Sequence, residues 1–397
     1  MRIISLLNVS NVDDLSCDSG LTFQKLILQE LQKIGHEVHL ILPNSNKIKS
    51  YYMENVKIHY LNMGETKYKV RYYIDWDGLI SILKEVEPDI ILNNQIELSP
   101  SIRAIFESSH LNIKLMSYCH YLPFYFDQNN NIVVDSSLND GFLCYPIILS
   151  IISACIVSEF IFVQSEFARN QLCKAIAMFS GNVTCQIVVI EPPIDDRYLE
   201  KVYFDTNETE RYAVYNHRLY EQYGTAEAVT FFKLLTSKLY FPLVVCDPMP
   251  NRSKERNRKD DSVSKYLNLI SSLPMAEIFS EGNDRKKYFD KIKNCYFGIA
   301  AFRKAAVWSM SVMDLLSMGK PVIAPKYAVY PEFLPEYLLF NSMEEAIIIS
   351  NKLIKDEKFY RMAVKDCLAI CEKYTPAKIA EKFVYYFDTI RDVELII

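Results

Sequence analysis

At 397 residues the chain is long enough for two domains of roughly 100 to 200 residues, each able to bury a core of its own. Hydrophobic residues make up 50% of it and aromatic residues 13%, against 23% charged, which excludes a disordered chain and a coiled coil. The formal net charge of -5 excludes a surface that is basic throughout, so contact with nucleic acid would require a local patch.

Met1-Arg2-Ile3-Ile4-Ser5-Leu6-Leu7 lacks the charged start and long apolar stretch of a signal peptide and reads as a first strand. Residues 21–34 have the apolar spacing of an amphipathic helix, Gly35 stops it, and 38–42 return as a strand, giving an opening βαβ unit. His36 in that turn is expected to be structural. Further strands are predicted at 56–60, 89–93, 113–118, 159–164 and 185–190, with helices at 78–86 and 165–178. The apolar stretch 145–163 is interrupted by Pro146, three serines and Glu159, which predicts a buried helix and strand rather than a membrane span. Short apolar strands bracketed by helices imply a parallel sheet covered on both faces.

The pattern pauses at Glu191-Pro192-Pro193-Ile194-Asp195 and again in the polar stretch 205–211, where the domain boundary is expected. A second series follows: strands at 212–216, 243–246, 277–279, 296–300 and 321–324, and helices at 226–239, 285–292, 311–318, 343–354, 358–372 and 377–390. The expected fold is α/β, with two Rossmann-like, doubly wound domains facing a cleft. The first spans 1–205 and the second 206–378, and a C-terminal helix, 379–397, packs back on the first. Folds of this kind bind ligands at the C-terminal ends of their strands.

The ten cysteines form no CxxC pair and no Cys/His cluster at zinc spacing. Cys144, Cys155, Cys246 and Cys295 lie in apolar runs, as reduced core thiols of a cytoplasmic protein would. The sequons beginning at Asn8, Asn182, Asn207 and Asn251 are then chance matches.

The most informative stretch is 306–325, AVWSMSVMDLLSMGKPVIAP: a loop, an apolar helix, a tight turn and a buried strand. It resembles the second domain of glycosyltransferase family 4, whose pattern reads roughly Glu-Gly-Phe-Gly-x-x-x-x-Glu-Ala-x-x-x-Gly-x-Pro-Val-Ile-Ala. Gly319-Lys320-Pro321-Val322-Ile323-Ala324 matches its end, which sets Asp314 on the second Glu and Ala306 on the first. The resemblance implies that Asp314 accepts hydrogen bonds from the donor's ribose. It also implies that Trp308, Ser309 and Met310 lead the donor diphosphate to a helix N-terminus. Ala306 leaves no counterpart for the carboxylate that holds the donor sugar.

Residues 212–228, YAVYNHRLYEQYGTAEA, resemble the family's Gly-Arg-Leu-x-x-x-Lys-Gly segment, in which Arg and Lys clamp the pyrophosphate. Arg218 matches the Arg and Gly224 the Gly, but Tyr223 stands where the Lys should be, so His217 or a lysine elsewhere is expected to compensate. In the first domain His120 follows an apolar strand, and the resemblance implies that it faces the donor sugar. The loop 11–20 resembles the family's glycine-rich loop, with Gly20 remaining of its glycine pair. Glu332 follows the 321–324 strand, where the resemblance implies a cleft carboxylate; 329–337 and Asn216-His217-Arg218 are also similar to the tRNA-queuosine mannosyltransferase subgroup. Asp75-Trp76-Asp77 could hold a metal but fits the start of the next helix better, and no metal is expected to be required.

Arg252, Lys254, Arg256, Arg258 and Lys259 put five basic residues into nine, a patch that would neutralise nucleic-acid phosphates. The expected function is transfer of a sugar from a UDP- or GDP-sugar to a hydroxyl, with retention, His120 and Arg218 being catalytic. The expected acceptor is a modified base in DNA or RNA. A glycan or small-molecule acceptor is the alternative, and a nucleotide-sugar-binding protein without turnover is a second one.

Overall fold

The structure is a computed structural model. It describes residues 1–7, 18–45, 48, 51–64, 69–134, 144–180, 185–201, 211–247, 262–280 and 284–394. The chain divides into two compact units, Met1–Pro193 with Pro376–Ile397, and Ile194–Thr375. The change-over therefore falls at Pro193, ahead of the expected 205, and the return falls at Pro376 rather than 379.

The first unit contains β1 (Arg2–Leu6), β2 (Glu37–Pro43), β3 (Lys57–Leu61), β4 (Ile90–Asn93), β5 (Lys114–Cys119), a hairpin of β6 (Phe124–Phe126) and β7 (Ile132–Val134), β8 (Phe160–Val163) and β9 (Gln186–Val189). Its main sheet runs β3-β2-β1-β4-β5-β8-β9, parallel throughout. Central strands in such a sheet face helices on both sides, so they read as unbroken apolar runs; every residue of β4 and of β8 is buried. Helix Ser19–Lys33 starts two residues earlier than its apolar period suggests, because Asp18 caps it by accepting from the Leu21 amide at 2.9 Å. Gly35, at φ 103°, ends it, with the His36 amide bonded back to the Leu31 carbonyl at 3.1 Å. The β6–β7 hairpin was not expected. Its apolar arms are three residues long, and its turn is organised by Asp127, which accepts from the amides of Asn129 and Asn131.

The stretch 145–163 forms helix Cys144–Val157 followed by β8. Among the described residues no helix is long and apolar enough to cross a membrane. Helix Pro376–Glu394 packs against helix Ser19–Lys33. Its Phe383 and Phe387 are fully buried, and the Phe383 ring lies 5.1 Å from that of Phe162 and 6.4 Å from that of Phe23. The C-terminal segment is thus a structural part of the first unit's core.

The second unit holds β10 (Ala213–Tyr215), β11 (Leu243–Asp247), β12 (Ala276–Ser280), β13 (Phe297–Ile299), β14 (Val322–Pro325) and β15 (Leu339–Phe340). The sheet order is β12-β11-β10-β13-β14-β15, again parallel. Helix Ser262–Ser271, beside β12, was not anticipated.

Truncating Phe383 removes the ring that joins the C-terminal helix to Phe23 and Phe162, and such a change costs about 3 to 5 kcal/mol. Phe383→Ala is expected to lower the thermal midpoint by several degrees in a denaturation scan. An unchanged midpoint would show that the helix is not part of the cooperative core.

Candidate functional site

In a doubly wound parallel sheet the connections on either side of the first strand leave toward opposite faces, and a crevice opens at the C-terminal ends of the two central strands. In the second unit that place lies between β10 and β13. Asn216, buried at the end of β10, donates from Nδ2 to the Tyr288 hydroxyl at 2.8 Å and to the Ser311 carbonyl at 2.9 Å. Tyr288, on helix Arg285–Lys293, donates in turn to Asp314 Oδ2 at 3.1 Å. One buried amide therefore ties the sheet edge to two helices and orients the carboxylate.

Asp314 lies on helix Met310–Ser317 and keeps part of its surface accessible. Burial pushes its carboxyl up to about 6; nearby Arg285 and the Tyr288 hydrogen bond oppose this, and Asp195 adds to it. Ser309 caps the helix, accepting from the Val312 amide at 3.3 Å, and Met310 opens it. Trp308 packs on Phe333 and Tyr374, with its indole Nε1 buried and without a protein partner among the described residues. Asn216 Oδ1 and His217 Nε2 are in the same condition. These three buried polar atoms belong to the segment after β10 and the segment that leads into helix Met310–Ser317.

Arg218 follows directly and is half-buried, with no hydrogen bond or ion pair to any described residue. His217 does not supply the second positive charge. Burial drives its pKa down to about 3 against a hydrogen bond to the Ile299 backbone, so the ring is neutral near pH 7. Tyr223 ends the turn Glu221–Tyr223, and Gly224 follows at φ 66°. A Cβ on Gly224 would lie 2.4 Å from the Phe302 carbonyl oxygen, so only glycine allows this loop to rest on the loop after β13. Ala306 is buried, its amide bonded to Arg303 O and its carbonyl to the Val329 amide. Glu332 is exposed in the first turn of the short helix Tyr330–Phe333.

In the first unit the corresponding place lies between β1 and β4. His120 Nε2 is 2.9 Å from Asn94 Oδ1, and Asn94 Nδ2 donates to the Ser5 hydroxyl at 3.0 Å and to the Leu92 carbonyl. Ser5 bonds Gln24. With its amide nitrogen committed, Asn94 presents oxygen to the imidazole, so Nε2 carries the proton and Nδ1 is the acceptor. Burial lowers the His120 pKa to about 4, which keeps the ring neutral. Gly20 sits in the first turn of helix Ser19–Lys33. Beside His120 a buried Glu97 accepts from the Tyr121 hydroxyl and from Gln95, both at 2.6 Å, and lies 3.6 Å from Arg71. Nothing in the sequence flags Glu97 or Asn94, because Tyr121, Arg71, His120 and Ser5 reach them from far along the chain.

Asp75 is a helix cap, accepting from the Gly78 amide at 3.0 Å and from Asn62 at 3.1 Å. No group of three or more His, Cys, Asp or Glu side chains gathers at metal-binding distance among the described residues. Arg252, Lys254, Arg256, Arg258 and Lys259, and the loop preceding Asp18, lie outside the described residues.

A carboxyl whose folded pKa stands near 6 against an ordinary 3.8 binds protons more readily folded than unfolded. It therefore opposes folding increasingly as pH rises through that window, and fully above it. Asp314→Asn is expected to stabilise the protein at pH 7 by about 1 to 3 kcal/mol. The gain should shrink to less than about 1 kcal/mol at pH 4, where the folded carboxyl is protonated, and vanish below the unfolded value of 3.8. Thermal melts of both proteins at the two pH values check this, and a variant less stable than wild type at pH 7 would contradict it.

No family model matches the chain, and no curated protein matches it. Solved structures do. Trehalose-6-phosphate synthase OtsA superposes with a TM-score of 0.71 at 12% identity, over 98% of this chain and 99% of its own. Sucrose-phosphate synthase from Thermosynechococcus elongatus gives 0.71 at 12% identity over 99% and 100%. HepE from Anabaena, in complex with UDP-glucose, gives 0.68 at 12% identity over 98% and 100%. At this identity the likeness is one of fold, and the fold is that of the GT-B glycosyltransferases: two Rossmann-like units, each with a parallel sheet.

Proposed function

We propose that the protein is a glycosyltransferase that seats a nucleoside diphosphate sugar on its second unit and transfers the sugar to a hydroxyl. The observation that carries this is the pairing of Arg218, a cation with no partner among the described residues, with Asp314, a carboxylate held by Tyr288 and Asn216. Both stand where the sheet order reverses, and chains of this fold include one solved with UDP-glucose and one with UDP-2-fluoro glucose.

Asp314 accepts the ribose hydroxyls, and Arg218 binds the diphosphate with a planar fork suited to phosphate oxygens. Ser309 and Met310 bring the N-terminus of helix Met310–Ser317 toward the same anion. As the glycosidic bond breaks, charge grows on the leaving diphosphate, and a guanidinium fixed beside it stabilises that state more than the ground state. His120, neutral with Nδ1 as acceptor, suits a sugar hydroxyl rather than an anion. We propose retention of configuration, as the sequence resemblance implies. We propose a cytoplasmic location, as the reading of Cys144, Cys155, Cys246 and Cys295 as reduced core thiols implies.

The modified-base acceptor expected from the basic run Arg252 to Lys259 gains no support from the described residues or from the solved relatives, so we propose a hydroxyl acceptor without assigning its carrier. One observation favours a second reading. Ala306 leaves its loop without a carboxylate for the donor sugar, as a binding protein without turnover would.

Arg218→Ala is expected to lower kcat/KM by about 30- to 1000-fold, the equivalent of roughly 2 to 4 kcal/mol, without lowering the melting temperature. Release of UDP or GDP from a panel of nucleotide sugars, with wild type and variant, checks this. Activity within about threefold of wild type, less than about 1 kcal/mol, would take Arg218 out of the site. Wild type that binds a nucleotide sugar and never releases the nucleoside diphosphate would favour the binding protein.

A further inference from the structure

We propose that Arg303 is the second cation of the diphosphate site, delivered from the loop after β13 and carried on the ring of Tyr223. This rests on the placement of a nucleoside diphosphate in the second unit. Burial neutralises His217, and Tyr223 has no charge to offer, which leaves Arg218 as the cation contributed by the loop after β10.

Three observations converge on Arg303. The first is topological. β10 and β13 are parallel neighbours, with Ala213 opposite Phe297 and Val214 opposite Gly298, so the segments that leave them emerge at one edge of the sheet. Arg218 is on one of those segments and Arg303 on the other, and the strand order reverses between them.

The second is direct contact between the loops. The missing side chain of Gly224 lets its backbone rest against Phe302, and the Arg303 guanidinium carbon stands 5.2 Å over the centroid of the Tyr223 ring. A guanidinium at this distance from an aromatic face is held by the ring quadrupole, and its planar fork suits phosphate oxygens. Tyr223 thus fills the position of an ammonium with a platform for a guanidinium.

The third is rigidity. The Ala301 and Phe302 carbonyls accept from the hydroxyls of Tyr330 and Tyr327 at 2.9 and 3.0 Å, and the Arg303 carbonyl accepts from the Ala306 amide at 3.2 Å. The loop is fixed on both sides of Arg303, a half-buried residue whose Nε is enclosed. A cation held in place before the ligand arrives loses less entropy on binding than one on a free stem.

The test is calorimetric titration of the full-length protein with UDP, UMP, GDP and GMP. Arg303→Met should weaken the preferred nucleoside diphosphate about tenfold or more, the scale of one charge-assisted hydrogen-bond partner, and weaken the matching monophosphate much less. Tyr223→Ala, which removes the ring under the guanidinium, should lose part of what Arg303→Met loses. If Arg303→Met melts well below wild type, Arg303→Gln, which keeps polarity without charge, carries the same comparison. Diphosphate binding by the uncharged Arg303 variants within about twofold of wild type would overturn the assignment while leaving the nucleotide site standing. Wild type that binds none of the four nucleotides would overturn the nucleotide site itself, and the assignment with it.

Discussion

The reversal of strand order at β10 is the constraint on which the second unit's chemistry depends. A parallel strand that must send its chain to one face, beside a neighbour sending its chain to the other, cannot close its own C-terminal end with main chain. Asn216 occupies that end. Because its amide bonds Tyr288 and Ser311 together, the two helices that would otherwise only pack are held in a defined register, and Asp314 inherits its orientation from them. Arg218 and Arg303 leave the same edge from either side.

Protonation follows from how deeply these groups sit. Histidines at both strand ends, His217 and His120, are pushed to about 3 and about 4 by burial, so each acts as a neutral hydrogen-bonding ring. Asp314 is shifted the other way, to about 6, but stays mainly ionised near neutral pH because Arg285 and Tyr288 oppose the cost of burial. The arrangement offers one carboxylate and guanidinium cations among neutral polar groups, a pattern suited to a ligand with hydroxyls at one end and a dianion at the other. Keeping a carboxylate there costs stability, the usual exchange at a binding site.

Much of the architecture was legible because buried parallel strands leave a strong mark: apolar runs at 113–118, 159–164 and 321–324 lie where the sheets run, and Gly35 stands where the helix ends. The hairpin of β6 and β7 was not, since three-residue arms around an Asn-rich turn carry too little periodicity to be seen. At the candidate site, the strand-to-loop passage at Asn216-His217-Arg218 and the helix with Asp314 can be found in line. What binds them together cannot. Tyr288 lies in a basic helix whose only visible pattern is amphipathic, and Asn94 reaches His120 across 26 positions. Arg303 is hidden for a related reason: the sequence around Tyr223 points to His217 or a lysine as the missing cation, whereas the structure stacks an arginine from another loop on Tyr223 itself.

A crystal structure of the full-length protein with the nucleoside diphosphate it binds tests the central claim most directly. The account predicts ribose hydroxyls within hydrogen-bond distance of Asp314 and diphosphate oxygens on the Arg218 guanidinium, at the C-terminal edge of β10. A nucleotide bound elsewhere on the second unit, with Arg218 and Asp314 untouched, would contradict it.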